Sequence, residues 1–395
     1  MTGRWKRRGL VVGVNLVLVL CAAEATVRVA AHCSRGIRRL VFQRTVYSAG
    51  EIAACATTEG LLDASPWSFE PFAVSGGYVM NSRGFRTPEY SVTKPSGIRR
   101  VILLGDSFLV DVWGGAHDED HVATRLAAEM KDSGRVEIVN LGVSCCGTHF
   151  QLRLLDLEGL RLHPDDVVLA FFVGNDLTDE PVAVPPASPV RRFLERWAVF
   201  RFARNLRRGL VGRAALHPVG ARSAPPAGGG RFSGYRGPVP PQPAMTQEAH
   251  LALVAQQGRL YLDPWPGDLE ADWKAVAGAL ERMRDKTARA GARFLVVLIP
   301  EETQIEEPLQ DAVAVAWPER RLDFGRPQRI IAAFCREAGI PVLDLLPAFR
   351  RARAAGEPLY MPSDTHWNPK GQRLAASLIA GRLKAVGVSG GRVGR

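Results

Sequence analysis

Short, unbroken apolar runs recur along the chain from residue 100 onward: Arg100–Leu104, Val136–Leu141, Val167–Val173, Phe294–Ile299 and Pro341–Leu345. They are rich in Val, Ile, Leu and Phe, are bounded by Gly, Pro or Asp, and lack the alternation of a strand with one wet face. The pattern predicts strands covered on both sides, as in a parallel sheet. Between them, apolar residues fall at helical spacing over His121–Lys131, Phe150–Leu160, Trp273–Ala290, Gln328–Ala338 and Gly371–Ala385. Strand alternating with helix predicts the α/β class: a doubly wound, mostly parallel sheet flanked by helices in three layers.

The pattern breaks at both flanks of this region. Arg4, Lys6, Arg7 and Arg8 precede a charge-free stretch from Gly9 to Ala23, and Glu24 and Arg28 then interrupt a run that stays apolar to Ala31. A spanning helix needs roughly 20 apolar residues, and flanking charges can snorkel. Residues 1–31 therefore read as an uncleaved membrane anchor with the basic flank inside and the remainder extracytoplasmic. A cleaved signal is the rival, with Ala23-Glu24-Ala25 as a poor cleavage site. Residues 32–98 form a juxtamembrane segment and 99–385 the α/β domain, followed by a tail, 386–395. An insert at about 181–257 lacks the regular rhythm. Within it, Arg191–Leu210 sets Phe193, Trp197, Phe200, Ala203 and Leu206 near helical spacing with arginines opposite. That is a helix packed on the domain or, alternatively, an amphipathic helix on a membrane surface. Residues 221–243 are dense in Pro and Gly and read as a linker.

Composition adds limits. The 395 residues carry a formal charge of +11 and 46% hydrophobic content, which excludes wholesale disorder. The basic balance favours anionic surfaces, but no zinc-finger spacing or basic–aromatic sheet pattern points to nucleic acid. The six cysteines include Cys33 and Cys55, a candidate bridge, and the adjacent pair Cys145-Cys146, which would bridge each other only with strain. No CxxC appears, so a zinc or thioredoxin site has no support.

Three blocks carry chemistry. Gly105-Asp106-Ser107 ends the first apolar run, Gly174-Asn175-Asp176 ends another, and Asp364-Thr365-His366-Trp367 lies near the far end of the chain. Ligands of open α/β sheets bind outside the carboxyl ends of the strands, which is where Ser107 and Asn175 are expected. Alone, Gly-Asp-Ser is weak, because Asp and Ser commonly cap helices. The tail strengthens it: a serine hydroxyl needs a base, and His366, oriented by Asp364, completes the logic of a Ser–His–Asp triad. Asn175 supplies a side-chain amide for the oxyanion. The plain alternative is that Asp364 caps the last helix and Asn175 is a turn residue.

These blocks resemble the SGNH (GDSL) hydrolase superfamily over roughly residues 80–385, apart from the insert. In the stretch Asn140–Thr148 the family has a glycine whose backbone N–H serves the oxyanion. The resemblance places Cys145 there, with Gly142 as the register alternative. Asp364 and His366 are one residue closer than the family's usual spacing, which is similar to alginate O-acetylation proteins, although those carry Asp-x-His ahead of the serine. The anchor, the Asn81-Ser82-Arg83-Gly84 lead, the Gly-Asp-Ser-Phe block and the Asp-Thr-His-Trp-Asn-Pro tail together resemble membrane-anchored SGNH-like proteins of bacterial envelopes. The resemblance implies a serine esterase or O-acyltransferase acting on an acylated glycan or lipid ester at the membrane, without a cofactor. A transferase would also need a membrane acyl-donor partner.

Other constellations are weaker. In His117-Asp118-Glu119-Asp120-His121, Asp stands where a zincin needs Glu. Asp106, Asp111, Asn175, Asp364 and His366 are donor types a metal phosphoesterase uses, but the motif order is wrong for one. A non-catalytic glycan-binding scaffold on the same fold is the remaining alternative.

Overall fold

The computed structural model describes residues 2–34, 37, 74–75, 78–79, 81, 83–110, 118–143, 146–178, 197–200, 202–203 and 245–389. Two short antiparallel strands, β1 (Val74–Ser75) and β2 (Tyr78–Val79), precede the main sheet. That sheet consists of β3 (Arg99–Gly105), β4 (Val136–Asn140), β5 (Asp166–Phe172), β6 (Arg293–Ile299) and β7 (Val342–Asp344). Its order is β4-β3-β5-β6-β7 with every pairing parallel. The order reverses between β3 and β5, so the carboxyl ends of those two strands flank a topological switch point.

Alternate residues of each strand feed two separate cores. Ile102, Leu104, Leu169 and Val296 face a layer with Phe150, Leu280 and Ile331, from the helices Thr148–Leu154, Gly267–Arg289 and Arg326–Glu337. Val101, Leu103, Val168 and Val297 face the other layer, with Leu126, Phe349 and Ile379 from the helices Val122–Glu129, Leu346–Ala354 and Pro369–Ser389. Burial on both faces is why these strands are uniformly apolar.

Each expected strand and helix of the domain is present, with boundaries moved by a few residues. The pattern did not single out three further helices: Gln247–Gln257, Glu307–Ala316 and Leu346–Ala354. The first lies within the expected insert, yet Trp317 Nε1 donates to Ala255 O at 2.8 Å and Gln257 Nε2 donates to Gly174 O at 3.3 Å, so it packs on the domain. Its buried residues are His250 and Val254, so one of its two core positions is polar.

At the amino terminus, Thr2–Cys33 is one helix, and Val11–Cys33 is long and apolar enough to cross a membrane, as an anchor or a signal. Residues 198–200 and 202–203 are helical, and Ala198 packs with Ala31 beside Val27 and Phe202. Residues 191–196, 201 and 204–210, the linker 221–243 and Cys55 lie outside the described residues.

Candidate active site

Gly105 ends β3 against β5. A Cβ there would fall 2.9 Å from Leu109 Cδ1 and 3.0 Å from Ala170 O, so only glycine allows this approach. The chain then turns into a single helical turn, Ser107–Val110. Asp106, fully buried, ties this turn down: Oδ1 accepts the Phe108 N–H at 3.0 Å and Oδ2 accepts from Asn175 Nδ2 at 3.0 Å. Burial pushes the Asp106 carboxyl above its ordinary range, while the Phe108 N–H, His366 and Asn175 act in the opposite direction.

Three buried donors hold the far end of the same turn. Leu109 O accepts from Asn140 Nδ2 at 2.6 Å and from His121 Nε2 at 3.0 Å, and Val110 O accepts from Arg86 Nη1 at 2.9 Å. The last carbonyls of a helix lack internal partners, and here side chains supply them. Burial keeps His121 neutral by driving its pKa well down, with Arg86 adding to the effect. His121 is also the N-cap of Val122–Glu129, which settles its place in the former histidine pair; His117 lies outside the described residues. The Asn81 lead acts through the same clamp. Asn81 Oδ1 accepts the N–H groups of Arg83 and Phe85, and Gly84 takes φ of +82°, which brings Arg86 beneath the serine turn.

The tail segment folds back as a narrow hairpin. Tyr360 pairs with Trp367 in an antiparallel bridge, and Met361 N–H donates to His366 O at 2.9 Å. Asn368 closes the base: its Nδ2 donates to Pro358 O at 2.8 Å, while its Oδ1 accepts the Lys370 and Gly371 N–H groups that open the last helix. Ser363 takes φ of +47°, an uncommon conformation for a side-chain-bearing residue, directly before Asp364. Beneath the hairpin, Trp367 meets the Phe108 ring edge-on at 4.8 Å between centroids and lies 5.6 Å from Phe349. Phe108 also lies 5.2 Å from the His366 ring, so one aromatic cluster joins the serine turn to the histidine hairpin.

The outcome is a continuous chain of polar atoms. His366 Nε2 lies 2.7 Å from Ser107 Oγ, and His366 Nδ1 lies 2.5 Å from Asp364 Oδ1. Asp364 Oδ1 also accepts the His366 N–H at 3.0 Å, which fixes the backbone under the ring. The Asp is nearly buried while the His keeps 16% of its side chain exposed, so the ring is supported from below and open above.

The structure thus brings Ser107, His366, Asp364 and Asn175 to one sheet edge. Cys145 lies outside the described residues. The Gly142 N–H donates to Asn140 Oδ1 at 2.9 Å. The glycine serves packing, since a Cβ there would fall 2.4 Å from Leu109 Cβ. Asn140 and Arg86 were not read as site residues from sequence, and Asp106 and His121 entered only among the weaker metal-donor sets; the Asn81–Arg86 lead was the signal pointing to the clamp. Among the described residues no three His, Cys, Asp or Glu side chains converge to hold a metal ion, and Asp111 lies outside them.

The three-layer parallel sheet thus carries a serine, a histidine and an aspartate in hydrogen-bonded order at its switch point. Residues 265–392 match the family model of the SGNH hydrolase-like domain of the acetyltransferase AlgX. Those residues are accordingly SGNH hydrolase-like, and they hold Asp364 and His366 but not Ser107. A curated relative, the probable alginate O-acetylase AlgJ of Azotobacter vinelandii, is 27% identical over 110 residues, 28% of this chain and 26% of the relative. The match therefore spans about a quarter of that protein's length. Among solved structures, a lipase/acylhydrolase from Enterococcus faecalis aligns at 14% identity over 73% of this chain and 96% of its own, with a TM-score of 0.37. The acetyl xylan esterase AlAXEase aligns at 13% identity over 72% and 99%, with a TM-score of 0.38.

Proposed function

We propose that the chain is a serine-dependent ester hydrolase or O-acyltransferase acting on acyl esters of an envelope or extracellular glycan. The observation that carries this reading is the 2.7 Å contact between Ser107 Oγ and His366 Nε2, with Asp364 on the other ring nitrogen. In this arrangement Asp364 keeps the Nδ1–H tautomer, which leaves Nε2 free to take the serine proton. Ser107 Oγ attacks the ester carbonyl, and its proton passes to Nε2. The Ser107 N–H, the Asn175 amide and the Cys145 N–H hold the oxyanion. As the tetrahedral adduct collapses, Nε2 returns the proton to the leaving alkoxide, giving an acyl-serine and a free alcohol. Water or a sugar hydroxyl then attacks the acyl carbon, giving its proton to Nε2, and the second tetrahedral adduct collapses: the bond to Ser107 Oγ breaks, Nε2 returns the proton to Oγ, and the free acid or the acylated sugar leaves.

The likeness to an acetyltransferase domain and to a probable alginate O-acetylase supports an acetyl group and a polysaccharide. A transferase would receive its acyl group from a membrane donor partner. In the same reading, residues 1–31 are an uncleaved anchor that holds the domain on the extracytoplasmic side. The +11 charge suits an acidic surface there.

The test compares wild type and Ser107→Ala on acetylated glycans and short acyl esters, with a fluorophosphonate label as a direct probe of the serine. Wild type is expected to label and to turn over ester, and the variant to lose labelling and about 10³-fold or more in kcat. A Ser107→Ala protein as active as wild type refutes the assignment. Acyl-glycan product separates transfer from hydrolysis.

A further inference from the structure

The amino-terminal helix changes character along its length. Val11, Val14, Leu18 and Leu20 are exposed, whereas Ala31 is buried against Ala198. The charge-free stretch from Gly9 to Ala23 rises roughly 22 Å at about 1.5 Å per residue, short of the roughly 30 Å hydrocarbon core. Glu24, the next residue, therefore stands at or just inside the outer boundary of a bilayer that this helix spans. A carboxylate at that depth requires partners.

Glu24 has them in an unusual form. Its Oε1 accepts the Ala198 N–H at 2.9 Å and the Arg28 Nε–H at 2.7 Å, and its Oε2 accepts the Val199 N–H at 2.9 Å. Ala198 and Val199 open the helical residues 198–200, and first-turn N–H groups have no acceptor within their own helix. Backbone enters the lipid boundary only when such groups are satisfied. The carboxylate and the two N–H groups thus remove each other's desolvation penalty. Ala198 is also packed against Ala31, with Val27 and Phe202 alongside, so the contact has an apolar component. The segment carries Trp197, Phe200 and Phe202, each half-buried, and Trp is favoured at the headgroup level.

We infer that residues 197–200 and 202–203 rest in the outer interfacial layer of the phospholipid bilayer, latched to the spanning helix by Glu24. This rests on the anchored reading given under Proposed function. The latch gives the domain a second membrane contact besides the anchor itself. It also gives Glu24 and Arg28, the two charges that interrupt the apolar run, a shared place in that contact.

The test uses the full chain reconstituted in vesicles of phosphatidylethanolamine and phosphatidylglycerol, with phosphatidylcholine brominated high on the acyl chains as quencher. Trp5→Phe forms the background, so that the opposite flank contributes no signal. Alkaline carbonate treatment first asks whether the chain is membrane-integral. Bromolipid is expected to quench a distinct share of tryptophan emission that disappears in Trp197→Phe. That share is expected to fall by more than half in Glu24→Ala, with labelling at Ser107 unchanged. Release by carbonate overturns the anchored reading and the inference with it. Retention with identical fractional quenching before and after Trp197→Phe overturns the inference alone. Undiminished quenching of Trp197 in Glu24→Ala overturns the latch.

Discussion

The roles proposed for single residues differ in kind, and substitutions separate them. Asp364→Asn keeps the shape but lets the amide favour the wrong imidazole tautomer; kcat is expected to fall about 10⁴-fold with KM little changed. Asn175→Ala removes a candidate oxyanion donor, for an expected loss of about 10²–10³ in kcat. It also strips Asp106 of a hydrogen bond, so steady-state kinetics should be read beside a denaturation curve. At this scale the sequence was legible where a residue's chemistry is rare and paired. Ser107, His366 and Asp364 form a set that few other functions need. It was silent where backbone atoms do the work. Nothing in the letters Asn140–Gly142 says that the Asn side chain occupies the Gly142 N–H, because that bond depends on where β4 stops relative to Leu109. Arg86 and His121 look like ordinary polar residues until the serine turn is seen to end on their donors.

Among elements, the histidine hairpin and the serine turn are joined by packing as well as by the polar contact. Trp367 is 2% exposed and sits between Phe108 and Phe349. Truncating such a side chain typically costs about 3–5 kcal/mol. Trp367→Ala is expected to lose that much stability by chemical denaturation. Its kcat, measured where the protein is still folded, should fall as well, because His366 loses its platform. Unchanged kcat in the folded variant would show that the hairpin holds the imidazole without the aromatic cluster. Elements with a long apolar stripe or a continuous apolar run were readable. Helices with few core positions were not: Leu346–Ala354 buries only Leu346 and Phe349, with Arg350, Arg351 and Arg353 after them, and Glu307–Ala316 buries Val313 alone. Glu307–Ala316 packs on Gln247–Gln257, a partner that its own pattern does not reveal.

For the molecule as a whole, the sheet order places β3 and β5 side by side although β4 lies between them in the chain. That reversal was expected as a class, but its position came from the structure. The structure also reveals two buried acids at the carboxyl end of β6. Burial raises the Glu301 carboxyl to about 8 and the Glu302 carboxyl to about 7, the latter opposed by His250 at 3.1 Å. Both folded values lie above the ordinary 4.5, so the fold favours the protonated forms. The associated stability is fully present below about pH 4.5 and is lost as pH rises through about 7 to 8. The melting temperature is therefore expected to fall between about pH 5 and about pH 8 and to level off above that, with a much shallower slope in Glu301→Gln/Glu302→Gln. Equal slopes in both proteins would assign the alkaline loss elsewhere.

Ser107 and His366 are separated by 259 positions and meet only through the final hairpin. On the proposed chemistry, a ribosome delivers the hydroxyl early and the imidazole almost last. A nascent or prematurely terminated product would carry an inert alcohol, so synthesis order itself acts as a safety catch on an enzyme that would otherwise meet esters before reaching its post.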